Sequence, residues 1–204
     1  MKPMDIETRS MAIIESELAA PLDPALAPII KRVIHTTADF SYAENLRFSP
    51  GVVEMARDIL ARGGAIITDT TMAAAGINKR ALEKLGASIT CFMADEDVAR
   101  EAIARGATRA RVSIERALAL TGPKLLVCGN APTFLLGLLE NPRPEDTVVI
   151  GVPVGFVNVV EAKEQLAQSG IPSIIAMGRR GGSNVAAAIV NALMYGIEGV
   201  RPCA

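Results

Sequence analysis

The sequence predicts an α/β fold: a three-layer open, mainly parallel sheet preceded by an N-terminal helical segment. Three observations predict it. From residue 65 onward, short apolar runs alternate with amphipathic helical stretches, the pattern of repeated βα units. Those runs are apolar along their whole length, as in strands covered on both faces. The first third of the chain has no such run and carries helical spacing instead.

The elements follow in order. Asp5 or Thr8 caps a helix carrying Met11, Ile14 and Leu18. Asp23-Pro24 opens a second with Leu26, Ile29, Ile30 and Val33, since proline is tolerated in a first turn. It runs toward His35, after which the chain reads as polar and irregular as far as Phe48. Ser49-Pro50 restarts a helix with Val52, Met55, Ala56 and Ile59 on one side and Arg57 and Arg62 outside, and Gly63-Gly64 ends it. Strands are expected at Ala65 to Thr68, Ser88 to Met93, Leu125 to Cys128, Thr147 to Val152 and Ile174 to Met177. Helices are expected at Asn78 to Leu85, Asp95 to Ala104, Thr108 to Leu120, Pro132 to Leu139 and Val159 to Ala167, with a last one from Ser183. Right-handed crossovers then give three layers. Pro142 to Asp146 reads as a charged surface loop.

Half of the 204 residues are hydrophobic, which suits one domain with a sizeable core. Repeats, low-complexity segments and linkers are not seen. Lys plus Arg number 21 against 22 Asp plus Glu, so the basic excess of a nucleic-acid binder is missing. With no Trp and few aromatics, base stacking is disfavoured too. Cys91 and Cys128 sit in apolar runs and Cys203 lies near the C-terminus; none has zinc spacing. Buried, reduced thiols in a cytoplasmic protein are expected. The N-terminus lacks a signal-peptide core. The apolar run from Val185 to Leu193 is short and interrupted by Asn191, so it reads as a buried helix, not a membrane span.

In open α/β sheets, ligands bind beyond the carboxyl ends of the strands, and the unusual sequence of this chain collects there. Asp69-Thr70-Thr71 follows the first expected strand, Gly129-Asn130-Ala131-Pro132-Thr133 the third, Pro153-Val154-Gly155-Phe156 the fourth and Gly178-Arg179-Arg180-Gly181-Gly182-Ser183 the fifth. The last carries two guanidinium groups into a helix N-terminus, where free N–H groups and the helix dipole suit an anion. The competing reading is a turn with solvated arginines. Neither a dinucleotide fingerprint nor a Walker A loop is present.

His35 is the only histidine, and histidine is the commonest acid/base side chain; a lone histidine is also often structural. Asp39 either orients its ring or belongs to a turn. Asp69 either serves the site or caps the next helix. Arg109, after Thr108, is a solvated helix residue or, fixed in a cleft, a bidentate carboxylate clamp. Glu161 and Lys163 are two apart, do not face each other on a helix, and read equally as surface charges.

Seven segments taken in order carry a resemblance: Glu7-Thr8-Arg9-Ser10, Val33-Ile34-His35-Thr36-Thr37-Ala38-Asp39-Phe40, Asp69-Thr70-Thr71-Met72, Thr108-Arg109, Gly129 to Thr133, Gly151 to Val157, and Gly178 to Ser183. Together they resemble the precorrin-8X methylmutase family over nearly the whole chain, as a single domain of residues 1–204. The resemblance implies a homodimeric isomerase of corrin (cobalamin) biosynthesis. It moves a methyl group from C-11 to C-12 of precorrin-8 or cobalt-precorrin-8, giving hydrogenobyrinate or cobyrinate, with no cofactor and no metal. His35 takes the place of the family's proton donor, and Ser10 and Arg109 those of its substrate contacts. Arg9, Thr36, Asp69, Thr70, Asn130, Gly155, Arg179, Gly181, Gly182 and Ser183 complete the expected binding set. The His-Thr-Thr-Ala-Asp-Phe form points to the cobalt-containing branch. Two departures stand out: Glu161-Ala162-Lys163 replaces Glu-Ser-Lys, and Phe134 stands where a smaller residue is common, at an expected pocket wall.

The bottom-up reading agrees with such a substrate. A broad apolar ring fringed with carboxylates needs an apolar slot with anion sites around it, which strand-end helix termini and Arg109, Arg179 and Arg180 supply. The rival from another class is a tetrapyrrole-binding carrier or regulator on the same fold, which has little need of a titratable His35. A nucleotide-binding oxidoreductase is disfavoured by the missing fingerprint.

Overall fold

The computed structural model describes residues 3–142 and 144–200. Strands β1 (Leu46–Phe48), β2 (Ala65–Thr68), β3 (Ser88–Thr90), β4 (Lys124–Cys128), β5 (Thr147–Gly151) and β6 (Ser173–Ala176) form one sheet. Its order is β1-β6-β5-β4-β2-β3. All neighbours are parallel except β1, which pairs antiparallel with β6, Leu46 opposite Ala176. Winding outward from β2 to β3 and then crossing back to β4 puts the topological switch point between the carboxyl ends of β2 and β4, where open sheets leave a crevice.

The central strands are buried on both faces, so their residues alternate between two cores. Leu125 and Val127 of β4 join one cluster, while Leu126 and Cys128 join the other. The first cluster is roofed by α2 (Ala27–Thr37), α4 (Val52–Ala61), α5 (Thr71–Gly76), α6 (Lys79–Leu85) and α11 (Ser183–Tyr195). The second lies under α8 (Arg109–Ala119), α9 (Pro132–Leu139) and α10 (Val159–Gln168). Helix α7 (Glu96–Arg105) packs on α8, and α1 (Pro3–Glu17) packs on α2. This is the three-layer, mainly parallel architecture expected.

Several local expectations change. Helix α1 already includes Asp5 and Thr8, so neither is its cap. The stretch expected to be irregular after His35 holds the end of α2, a short α3 (Tyr42–Asn45) and the edge strand β1. Helix α5 was not expected either; Thr70 caps it by accepting from the Ala73 amide. Strand β3 stops at Thr90, and a 3-10 turn, Phe92–Ala94, follows. Cys91 is therefore only half-buried, whereas Cys128 is fully buried; Cys203 lies outside the described residues. Met55 is exposed, not part of the inner face of α4. Arg62 pairs with Asp58 and Asp146.

Helix α11 is buried from Val185 to Val190 and again from Ala192 to Met194. Asn191 explains the polar interruption: its side chain accepts from the Asn78 amide and donates to the Gly76 carbonyl. That helix is spent inside the fold, so its apolar run is not a surface for a second subunit. No described helix is long and apolar enough to cross a membrane.

Candidate active site

The loop after β2 meets the loop after β4 at the switch point. Asp69, fully buried, accepts from the backbone N–H groups of Gly129 at 2.9 Å and of Asn130 and Ala131, both at 2.7 Å. Burial pushes its carboxyl above the ordinary range, and the three amide donors pull it back. With both oxygens spent on the backbone, Asp69 shapes the Gly129–Ala131 turn. Of the two expected roles, the helix cap falls to Thr70 and not to Asp69.

A second junction lies beside it. The Thr70 and Ser183 hydroxyls sit 2.7 Å apart, so the two expected substrate hydroxyls bond each other. Ser183 opens α11, and Gly129 packs so close beneath it that a Cβ there would come within 2.8 Å of the Ser183 Cα. The Gly182 amide donates to the Val152 carbonyl and the Gly155 amide to the Arg179 carbonyl. Gly181 has φ +153° and faces the same Val152 carbonyl, 2.1 Å from where a Cβ would stand; only glycine fits both the conformation and the contact.

The glycine-rich loop is held from below by Lys163, a residue that reads equally well as a surface charge in the sequence. Lys163 is fully buried, and its Nζ donates to the Gly178 carbonyl at 2.8 Å and the Arg180 carbonyl at 2.7 Å. Burial pushes its ammonium down to about 8, and burial likewise pushes the neighbouring Cys128 thiol well above its ordinary value, which keeps it neutral. Val159, Ala162, Lys163 and Leu166 form the buried stripe of α10. Ala162 lies in the apolar core, so the missing hydroxyl of Glu161-Ala162-Lys163 is a packing difference. Phe134 is in the same core and lines no site wall.

His35 occupies the last turn of α2 and is exposed. The chain just beyond it runs along the carboxyl edge: the Met177 amide donates to the Asn45 carbonyl, and β1 then starts opposite Ala176. Asp39 does not serve as a partner for the ring. It accepts from the Ser41 amide and pairs with Arg180 at 3.1 Å. The Ser41 side chain and amide, with the Arg180 guanidinium, hold its carboxyl below the ordinary value. This pair ties the end of α2, and so His35, to the glycine-rich loop.

The remaining expected residues lie on other elements or at exposed strand ends. Thr36 is exposed and its hydroxyl donates back to the Arg32 carbonyl. Ser10 does the same to Ile6, and Arg9 is exposed, both on α1. Helix α1 is joined to α2 by the Glu7–Arg32 pair at 2.5 Å and a Lys31–Glu15 pair. Arg109, exposed at the start of α8, stands on the opposite layer. Asn130 and Arg179 are exposed at strand ends. Apolar side chains are exposed along this edge: Met72 at the start of α5, and Phe156 and Val157 after β5, are each more than two-thirds exposed. The Arg179 guanidinium lies 5.3 Å from the Phe156 ring centroid. Among the described residues, no group of three or more His, Cys, Asp or Glu could hold a metal ion.

Comparison with known proteins places this arrangement. Residues 5–196 match the family model for precorrin-8X methylmutase. A cobalt-precorrin-8 methylmutase from Salmonella typhimurium is 47% identical, the alignment covering 95% of this chain and 95% of that protein. A precorrin-8X methylmutase from Pseudomonas aeruginosa is 39% identical, over 92% of this chain and 93% of that one. The crystal structure of precorrin-8x methyl mutase from Thermus thermophilus superposes with a TM-score of 0.84 at 38% identity, covering 94% of both chains.

Proposed function

The chain belongs to the precorrin-8X methylmutase family of methyl-shifting isomerases, and from that premise we propose how its carboxyl edge performs the reaction. The protein is an isomerase of cobalamin biosynthesis; the proposal concerns the substrate form, the residues and the assembly. The observation that carries it is the convergence of the loops after β2, β4, β5 and β6, with the His35 helix fastened to them through Asp39 and Arg180. A corrin precursor lies across this edge. Exposed Met72, Phe156 and Val157 meet its apolar ring, while Arg179, Arg180 and the start of α11 meet its carboxylates. Arg109 approaches from the other layer, with Arg9, Ser10, Thr36 and Asn130 at the rim. Ser10 and Thr36 donate to carbonyls yet retain lone pairs for a ligand.

The reaction moves a methyl group from C-11 to C-12, leaving composition unchanged, and His35 supplies a proton to the ring near the migrating group. The substrate is the cobalt form, supported by the 47% identity with the Salmonella enzyme and by the His-Thr-Thr-Ala-Asp-Phe segment. The test is incubation with precorrin-8 and with cobalt-precorrin-8. The expected result is a changed absorbance spectrum at unchanged mass, faster with the cobalt form. Binding of both without conversion would instead support a carrier. We further propose a homodimer, as the family resemblance implies; sedimentation of the same preparation as a monomer at micromolar concentration removes that part.

Arg109 gives a separate expectation. Arg109→Ala weakens binding of the corrin product by about tenfold, the scale of a lost charge-assisted bond at a partly solvated site. Arg109→Lys recovers only part, because an ammonium lacks the planar fork. Absorbance titration reads both, and equal affinity in all three proteins removes the contact.

A further inference from the structure

We propose that Lys163 is a positioning residue for substrate carboxylates: it turns two peptides of the glycine-rich loop so that the N–H groups of Arg179 and Gly181 face the ligand. This rests on the functional reading above and names a part of the site that reading does not contain.

The geometry starts from the two hydrogen bonds. Lys163 pulls the Gly178 and Arg180 carbonyls inward. A trans peptide points its carbonyl and its N–H in opposite directions. The N–H of Arg179 and that of Gly181 therefore point away from Lys163, toward the open side of the loop. The intervening carbonyl, Arg179, is taken by the Gly155 amide, so the alternation of directions is fixed from both sides. Two outward N–H groups within one turn form an anion-binding concavity, between two guanidinium groups and next to the N-terminus of α11.

Holding two carbonyls accounts for the donors of Lys163 but not for its charge. A buried cation is unfavourable unless it is paired, and no carboxylate lies within ion-pair range of Lys163 among the described residues. The titratable and charged groups that face it are few. Cys128 at the end of β4 is the nearest, with the Asp69 carboxylate behind it. Arg179 and Arg180 rise from the loop, and Glu161 and Glu164 on its own helix are exposed. A cation left without an internal counter-charge has its missing partner supplied when a polycarboxylate sits on the loop above it.

The test compares wild type with Lys163→Met, which keeps volume and removes charge and donors, and Lys163→Gln, which keeps a donor. Limited trypsin digestion reads the loop directly, because Arg179 and Arg180 are exposed cleavage sites within it. Lys163→Met is cut there about tenfold faster than wild type, the scale of losing hydrogen bonds from a charged donor. Its KM for the precorrin-8 substrate rises by about tenfold, while kcat is retained. Lys163→Gln falls between. In wild type, KM rises as pH passes through about 8 and the ammonium loses its proton; in Lys163→Met that dependence is absent. Unchanged trypsin cleavage in Lys163→Met overturns the proposal whatever the substrate. Faster cleavage with unchanged KM overturns the link to substrate, and so does a loss confined to kcat. If wild type neither binds nor converts either precorrin-8 form, the functional reading fails and takes the proposal with it, an outcome set apart by the wild-type control alone.

Discussion

His35→Ala is expected to lower turnover by about 10²–10⁴-fold, the usual contribution of a positioned proton donor, while leaving substrate affinity within a few-fold. Moving a methyl between adjacent ring carbons rearranges the conjugated system, and a proton on, or strongly shared with, the neighbouring ring nitrogen stabilises the electron density that gathers there. An imidazole can donate that proton and recover it between turnovers. The structure supports the assignment by place. His35 is exposed in the last turn of α2, where the chain turns along the carboxyl edge, and the Asp39–Arg180 pair fixes that turn to the glycine-rich loop. Because the ring is exposed, its removal opens no core cavity and the fold is kept. His35→Asn is expected to do no better, since an amide donates a hydrogen bond but no proton. Near wild-type turnover in His35→Ala rules out the acid role. High activity in His35→Asn alone shows that hydrogen bonding suffices.

The parts of this molecule legible in its sequence are those where one physical signal dominates. The runs Leu125-Leu126-Val127 and Val148-Val149-Ile150 are buried on both faces, so an uninterrupted apolar run marks them as central parallel strands. Edge strand β1 escaped because Leu46, Arg47 and Phe48 include a charged residue, and three residues are too few to show a period. Helix α5, rich in alanine and only one and a half turns long, shows no amphipathic face. At the site, the strand-end clusters were visible but their division of labour was not. Asp69, Thr70 and Ser183 are polar residues at strand ends, and only the three-dimensional contacts show that they bind the loops to one another. Lys163 was the recoverable miss. Its distance from Glu161 says nothing, but Val159, Ala162, Lys163 and Leu166 follow the i, i+3, i+4, i+7 stripe of a buried helix face. A lysine on that stripe must be buried or break the helix pattern.

Asp69→Ala is expected to destabilise the fold by about 3–5 kcal/mol, because it takes the acceptor from three N–H groups of one turn, that of Gly129 buried and those of Asn130 and Ala131 partly buried. Each of them, on Gly129, Asn130 and Ala131, now meets a carboxylate oxygen within 2.9 Å. Burial alone disfavours the charge, so the carboxylate is tolerated there only through those donors, and removing it costs their bonds with no compensating contact. The loss spreads because the turn is a shared part. Gly129 packs under Ser183, Ser183 holds Thr70, and both loops carry residues proposed to meet the substrate. Asp69→Asn is the milder variant. One amide oxygen can still accept, but its NH₂ faces an N–H donor, so about half the effect of alanine is expected. Chemical denaturation of the three proteins measures the differences, and turnover should fall with the distortion of the Gly129–Ala131 turn even under conditions where the variant remains folded. A loss below about 1 kcal/mol in Asp69→Ala, the scale of one ordinary hydrogen bond, would show that water or a rearranged turn satisfies the amides, and Asp69 would then be free to act on the substrate after all.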